Sequence, residues 1–174
     1  MKKLLFTLLV LFMIPIILSG CSQHRFKTKF KNKTDKAIYE VKTINNNSYN
    51  MYWTKNKGFY NISNKIAINN GIYPRSIIKN GKVYDPWNGT FSITNLSFLN
   101  ANEYMLNMTN VPAKDCLKIG LATYKLKRVI DFQANYNILL ANTSKEIKEL
   151  CKILHNDGRI NITWQIGVSH SQKK

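Results

Sequence analysis

Residues 160–166, Ile-Asn-Ile-Thr-Trp-Gln-Ile, place an apolar side chain at every second position. Successive side chains of an extended chain point to opposite faces, so this alternation predicts a strand half buried on one side. Upstream of it, Thr143 and Glu146 stand three residues apart, the spacing of a capping box, and Ile147, Leu150, Cys151 and Leu154 then follow at helical spacing. A helix, closed off by Gly158, therefore leads into the last strand.

Moving outward, period-two alternation returns at Phe91 and Ile93 and at Tyr104, Leu106 and Met108, which predicts two or three strands. Further strands are expected at 126–132 and 136–140. Pro112 opens a helix through Ala113, Lys114 and Asp115 that carries Cys116, Leu117, Ile119 and Leu121. Residues 54–88 read as loop-rich, punctuated by Gly58, Gly71, Pro74, Gly81 and Pro86, with one short helix suggested by Ile62, Ile66 and Ile68. From Asp35 the residues Ala37, Ile38, Val41 and Ile44 share one helical face for about three turns. The run Asn45-Asn46-Asn47 weakens that helix before Tyr49, Tyr52 and Trp53 resume an apolar pattern. A helix followed by strands and two further helices describes an α+β domain.

The first residues have a different character. Lys2 and Lys3 precede the uncharged apolar run 4–18, the layout of an export signal, and the run is too short for the roughly 20 residues of a membrane span. It ends in Leu18-Ser19-Gly20-Cys21, which matches a bacterial lipobox and makes Cys21 the expected site of lipidation. Residues 1–20 are then a lipoprotein signal peptide, 21–34 a lipidated tether and 35–174 the globular domain. Diacylglycerol and an N-acyl chain on Cys21 are the only covalent groups expected, and no other cofactor is. Ser22, rather than an acidic residue, follows Cys21 and favours the outer over the inner membrane. Arg25, Lys27, Lys29, Lys31 and Lys33 then occupy every odd position, with Phe26 and Phe30 between them. Such a segment either hugs anionic lipid, at about 1 kcal/mol per basic residue, or acts as a solvated linker.

The 174 residues carry a formal charge of +17 from 26 basic and 9 acidic side chains. Lys dominates, with Arg only at 25, 75, 128 and 159, which disfavours sequence-specific reading of nucleic acid. The charge reads either as attraction to polyanions or, given the Asn that accompanies it, as a codon bias on solvated faces. In an exported chain Cys116 and Cys151 read as a disulfide, with a free buried pair or a metal site as alternatives. Closing a loop of about 36 residues would stabilise the fold by roughly 4 kcal/mol. His24, His155 and His170 do not join the cysteines at finger-like spacing, so no metal is expected. No nucleophile elbow, zincin helix, phosphate loop or paired-carboxylate spacing stands out, and neither an enzyme nor a small-molecule substrate is expected.

The succession Gly58-Phe59-Tyr60-Asn61-Ile62-Ser63, Gly71-Ile72-Tyr73-Pro74, Tyr84-Asp85-Pro86-Trp87-Asn88-Gly89 and Val111-Pro112 with Cys116 resembles the head domain of type IVb pilins, including the major pilins of conjugative thin pili. The resemblance spans roughly residues 35–167. It implies a helical spine packed on an antiparallel sheet, with Cys116 and Cys151 as the half-cystines. It makes Trp87 and Gly89 parts of a structural turn in which Asn88 takes the place of a glycine and must meet any demand for positive φ. The chain departs from the family at its start: the apolar run ends in a lipobox, and the first acidic residue is Asp35. The combined expectation is a membrane-anchored lipoprotein with a pilin-like head, serving as an accessory of a type IV pilus or conjugative secretion apparatus, or as an adhesin. Its partners would be membrane lipid and proteins of that apparatus. The other class is a basic surface lipoprotein that binds DNA or anionic envelope polymers.

Overall fold

The computed structural model describes residues 29–53, 59, 61–96, 102–135, 140–154 and 158–167. Helix α1 (Lys33–Ser48) begins where the Asn32 side chain accepts a 2.8 Å bond from the Asp35 amide, and Asp35 adds negative charge to the first turn. Ala37, Val41 and Ile44 face the core, as their spacing predicts. The helix does not weaken at the three asparagines. Asn45 donates to the Lys127 carbonyl at 3.0 Å and Asn47 to the Ile72 carbonyl at 3.0 Å, so tertiary bonds hold what local propensity would loosen. A π-turn, Tyr49–Trp53, continues it.

Helix α2 (Asn64–Asn69) is capped by Ser63, which gives the short helix expected there. A small hairpin follows, β1 (Ile78–Lys79) and β2 (Lys82–Val83), within the stretch read as loop. Its turn residues Asn80 and Gly81 have φ of 49° and 72°, the left-handed pair that a two-residue hairpin requires.

The main sheet contains β3 (Phe91–Asn95), β4 (Tyr104–Pro112), β5 (Val129–Ala134) and β6 (Arg159–Ile166), in the order β3-β4-β6-β5 with every neighbour antiparallel. Register aligns Ile93, Leu106, Trp164 and Phe132 in one row across all four strands on the buried face. Phe132 meets Trp164 edge to face at 5.9 Å. The neighbouring row, Ser92, Asn107, Thr163 and Gln133, is polar, and Thr163 donates to Asn107 at 2.8 Å. The final strand thus has the alternation read from its sequence.

Between β4 and β5 a 3-10 turn (Ala113–Asp115) runs into α3 (Cys116–Thr123), and α4 (Ser144–Ile153) precedes β6. The capping box of Thr143 and Glu146 is formed, and Ile147, Leu150, Cys151 and Leu154 are buried. Gly120 lets α3 approach both neighbours: a Cβ there would lie 2.7 Å from Ile147 and 3.1 Å from the Phe132 ring. Trp164 donates its indole N–H to Thr123 at 2.8 Å beneath this helix.

The strand expected at 126–132 starts later, because Leu126, Lys127 and Arg128 form a turn in which Arg128 has φ 64°. The strand expected at 136–140 falls mostly on 136–139, outside the described residues. Leu140 is not extended into a ladder, and the pairing with Phe132 is made by Ala141 instead.

Candidate functional site

The two half-cystines meet: Cys116 and Cys151 are bonded, with Cα atoms 5.6 Å apart. They join the start of α3 to the last turns of α4, and both are buried. Of the expected anchor and tether, Cys21, Arg25 and Lys27 lie outside the described residues, as do residues 1–20 and all three histidines. Lys29 and Lys31 are exposed ahead of α1, and Lys33 is its first helical residue. Phe30 packs at a tilt against Tyr39, with ring centres 5.1 Å apart, so this aromatic of the tether folds back on the helix.

The Asp85-Pro86-Trp87-Asn88-Gly89 turn is built around one carboxylate. Asp85 Oδ1 accepts from the Trp87 amide at 2.7 Å and the Gly89 amide at 2.9 Å, an arrangement that folds the chain back toward β3. Asn88 has φ 65°, the left-handed geometry that the resemblance assigned to this position, and Asn tolerates it. Asn110 clamps the turn from the bulge of β4 by donating to the Trp87 carbonyl at 3.0 Å. Gly89 admits no side chain: a Cβ would lie 2.2 Å from the Thr109 carbonyl oxygen and 2.4 Å from Asp85 Oδ2.

Against this turn α1 buries a second carboxylate. Glu40 is 2% exposed and Asp85 5%, and neither Glu40 Oε2 nor Asp85 Oδ2 has a hydrogen-bond partner. Burial lifts the Glu40 carboxyl from an ordinary 4.5 to about 7; Lys36, 3.6 Å away, opposes the rise and the charge of Asp85 adds to it. Asp85 is raised by burial too, against the pull of the Trp87 and Gly89 amides and of Arg159 and Lys33. Two neighbouring buried carboxyls that repel each other when charged favour retention of a proton at this packed interface. Sequence reading overlooked it, although Glu40 stands three residues after Ala37 and four before Ile44, on the face those residues bury.

Elsewhere, an open pocket of about 250 Å³ is lined by Leu140, Thr143, Lys145, Glu146, Glu149 and Leu150. Its best-placed acid, Glu146, is occupied in the capping box and held below the usual carboxylate range by the Asn142 amide, the Thr143 side chain and the Thr143 amide. Among the described residues no group of three or more His, Cys, Asp or Glu is placed to hold a metal. No described helix is long and apolar enough to cross a membrane.

A family model described as PilS N terminal matches residues 31–152. The fold is similar to the crystal structure of a type IV b pilin from Salmonella typhi, with a TM-score of 0.56 and 13% identity, over 76% of this chain and 99% of that one. No curated protein matches the chain in sequence.

Proposed function

Because the chain belongs to the PilS N-terminal family and carries a type IVb pilin-like domain, we propose that it is a lipid-anchored envelope protein serving as a non-enzymatic component of a type IV pilus or conjugative secretion apparatus, or as an adhesin. The observation that carries the reading is the helical spine α1, packed by Ala37, Val41 and Ile44 on a four-stranded antiparallel sheet, with Cys116–Cys151 tying α3 to α4 beside it. Pilins are structural proteins, and the raised carboxyls Glu40 and Asp85 are buried at 2% and 5% exposure.

The anchor reading is supported by the Leu18-Ser19-Gly20-Cys21 sequence after an uncharged apolar run. A lipid-bearing Cys21 would hold the domain at a membrane, the outer membrane by the identity of Ser22, with Arg25 to Lys33 near the head groups. The decisive measurement is incorporation of radiolabelled palmitate, with and without an inhibitor of the lipoprotein signal peptidase, compared with Cys21→Ser. Label that disappears in the variant supports the anchor. Absence of label together with processing by a prepilin peptidase would overturn the anchor and restore an unusual true pilin. Binding of DNA or anionic polymer through the lysine-rich surface remains the second reading, favoured by the +17 charge. It predicts affinity that collapses between low and physiological salt, and a flat salt profile sinks it.

A further inference from the structure

Among the described residues five large apolar side chains are exposed: Tyr39 at 46%, Leu117 at 40%, Leu121 at 37%, Leu140 at 52% and Ile153 at 62%. Four stand on helices α1, α3 and α4, and none on the strands. Helices α1 and α3 lie side by side and run in the same direction. Near their starts Thr34 donates to Asp115 at 2.9 Å and Lys118 pairs with Asp35 at 2.6 Å. Near their ends Asn45 reaches the Lys127 carbonyl, and the Lys127 ammonium lies 4.9 Å from the centre of the Tyr49 ring. Their outward faces therefore make one continuous surface.

That surface has a definite composition. Lys114, Leu117, Lys118, Leu121 and Lys125 recur along α3 and its flanking turns at the spacing of one helical face, and all are exposed. Lys31, Tyr39 and Lys42 continue the surface along α1. Its acids are already engaged, Asp35 by Lys118 and Asp115 by Thr34. Half-exposed leucines ringed by ammonium groups are what an interfacial helix presents to acyl chains and anionic head groups. The lead-in points the same way, since Phe30 rests on Tyr39. From Cys21 to Phe30 the chain reaches at most about 30 Å, which keeps a Cys21-anchored domain within its own diameter of the bilayer.

We propose that the outward α1–α3 face is a docking surface for an anionic lipid bilayer, with Leu117, Leu121 and Tyr39 entering the head-group boundary and Lys114 and Lys125 meeting lipid phosphates. The inference rests on the lipid-anchor reading only for what keeps the domain near the membrane. The test uses the full chain, purified in detergent and reconstituted into vesicles of phosphatidylglycerol with phosphatidylcholine, or of phosphatidylcholine alone. Lysine acetylation rates are then read by mass spectrometry. In anionic vesicles Lys114 and Lys125 should be acetylated about fivefold more slowly than in neutral ones, while Lys79 and Lys82 on the β1–β2 hairpin should not change. Leu117→Ser with Leu121→Ser, both at exposed positions, should abolish most of that protection.

Equal rates in both vesicles overturn the proposal. Protection that follows protein concentration and not lipid charge overturns it in favour of a second copy of the chain. Protection by soluble polyphosphate that ignores the leucine substitutions overturns it in favour of a soluble polyanion. Failure of the anchor reading is seen separately, as missing palmitate on Cys21. It leaves the acetylation result to stand or fall by itself.

Discussion

Replacing Glu40 with Gln removes the one carboxyl whose burial raises its pKa to about 7. The fold holds this proton up to about pH 7, whereas the unfolded chain releases it near 4.5, a difference worth about 3 kcal/mol. The sign follows from which state binds the proton. Below the unfolded value both states are protonated and the stability is fully present; between the two values only the unfolded chain ionises, so stability falls as pH rises; above the folded value the loss is complete. Glu40→Gln keeps the shape and cannot ionise. The difference in unfolding free energy between variant and wild type should therefore grow by about 2.5 kcal/mol in the variant's favour from about pH 5 to about pH 8. Urea unfolding in detergent, followed by tryptophan fluorescence at several pH values, measures it. Asp85 and Asp131 are also raised by burial and tilt both proteins in the same direction, and because Asp85 feels the Glu40 charge the comparison reads Glu40 together with its effect on that neighbour. A difference that stays constant across that range would refute the reasoning, because it would mean that Glu40 titrates alike in both states.

Three other perturbations test the frame. Removing the disulfide with Cys116→Ser and Cys151→Ser together should lower stability by roughly 4 kcal/mol, read as a fall in the urea midpoint. Gly89→Ala drives a methyl into the Thr109 carbonyl and the Asp85 carboxylate and should cost about 3 kcal/mol in the same assay; a change within a few tenths would show that the turn can relax. Thr123→Val leaves the buried Trp164 N–H without its acceptor and should cost about 2 kcal/mol, accompanied by a shifted tryptophan emission.

Much of the architecture was legible because it is local. The alternation of Ile160, Ile162, Trp164 and Ile166, the capping box at Thr143 and the apolar face of α1 each declare an element within a few residues. Asn88 was legible through the turn that surrounds it. What escaped was of two kinds. The β1–β2 hairpin was marked by Asn80-Gly81 between Ile78-Lys79 and Lys82-Val83, but strands two residues long offer no period to read. Arg128 in the left-handed region delayed β5 beyond its apolar start, a conformation that nothing in an arginine side chain announces. The pairing of α1 with α3, and of Glu40 with the Asp85 turn, joins residues 45 to 83 positions apart, and no window along the chain contains both partners. Five of the asparagines, at 61, 80, 88, 110 and 135, occupy positive φ. A richness first ascribed to codon bias thus in part serves the backbone.

The position of β6 has a consequence for timing. β6 lies between β4 and β5, not at an edge, so the β4–β6 and β5–β6 ladders both wait for residues 159–166. Until then only β3 and β4 can pair, and Leu106 and Phe132 flank the position that Trp164 fills. Cys116 and Cys151 both precede that strand and are free to pair while the sheet is still open. Completion of the sheet therefore waits for residues 159–166, the eight-residue strand that supplies both remaining ladders.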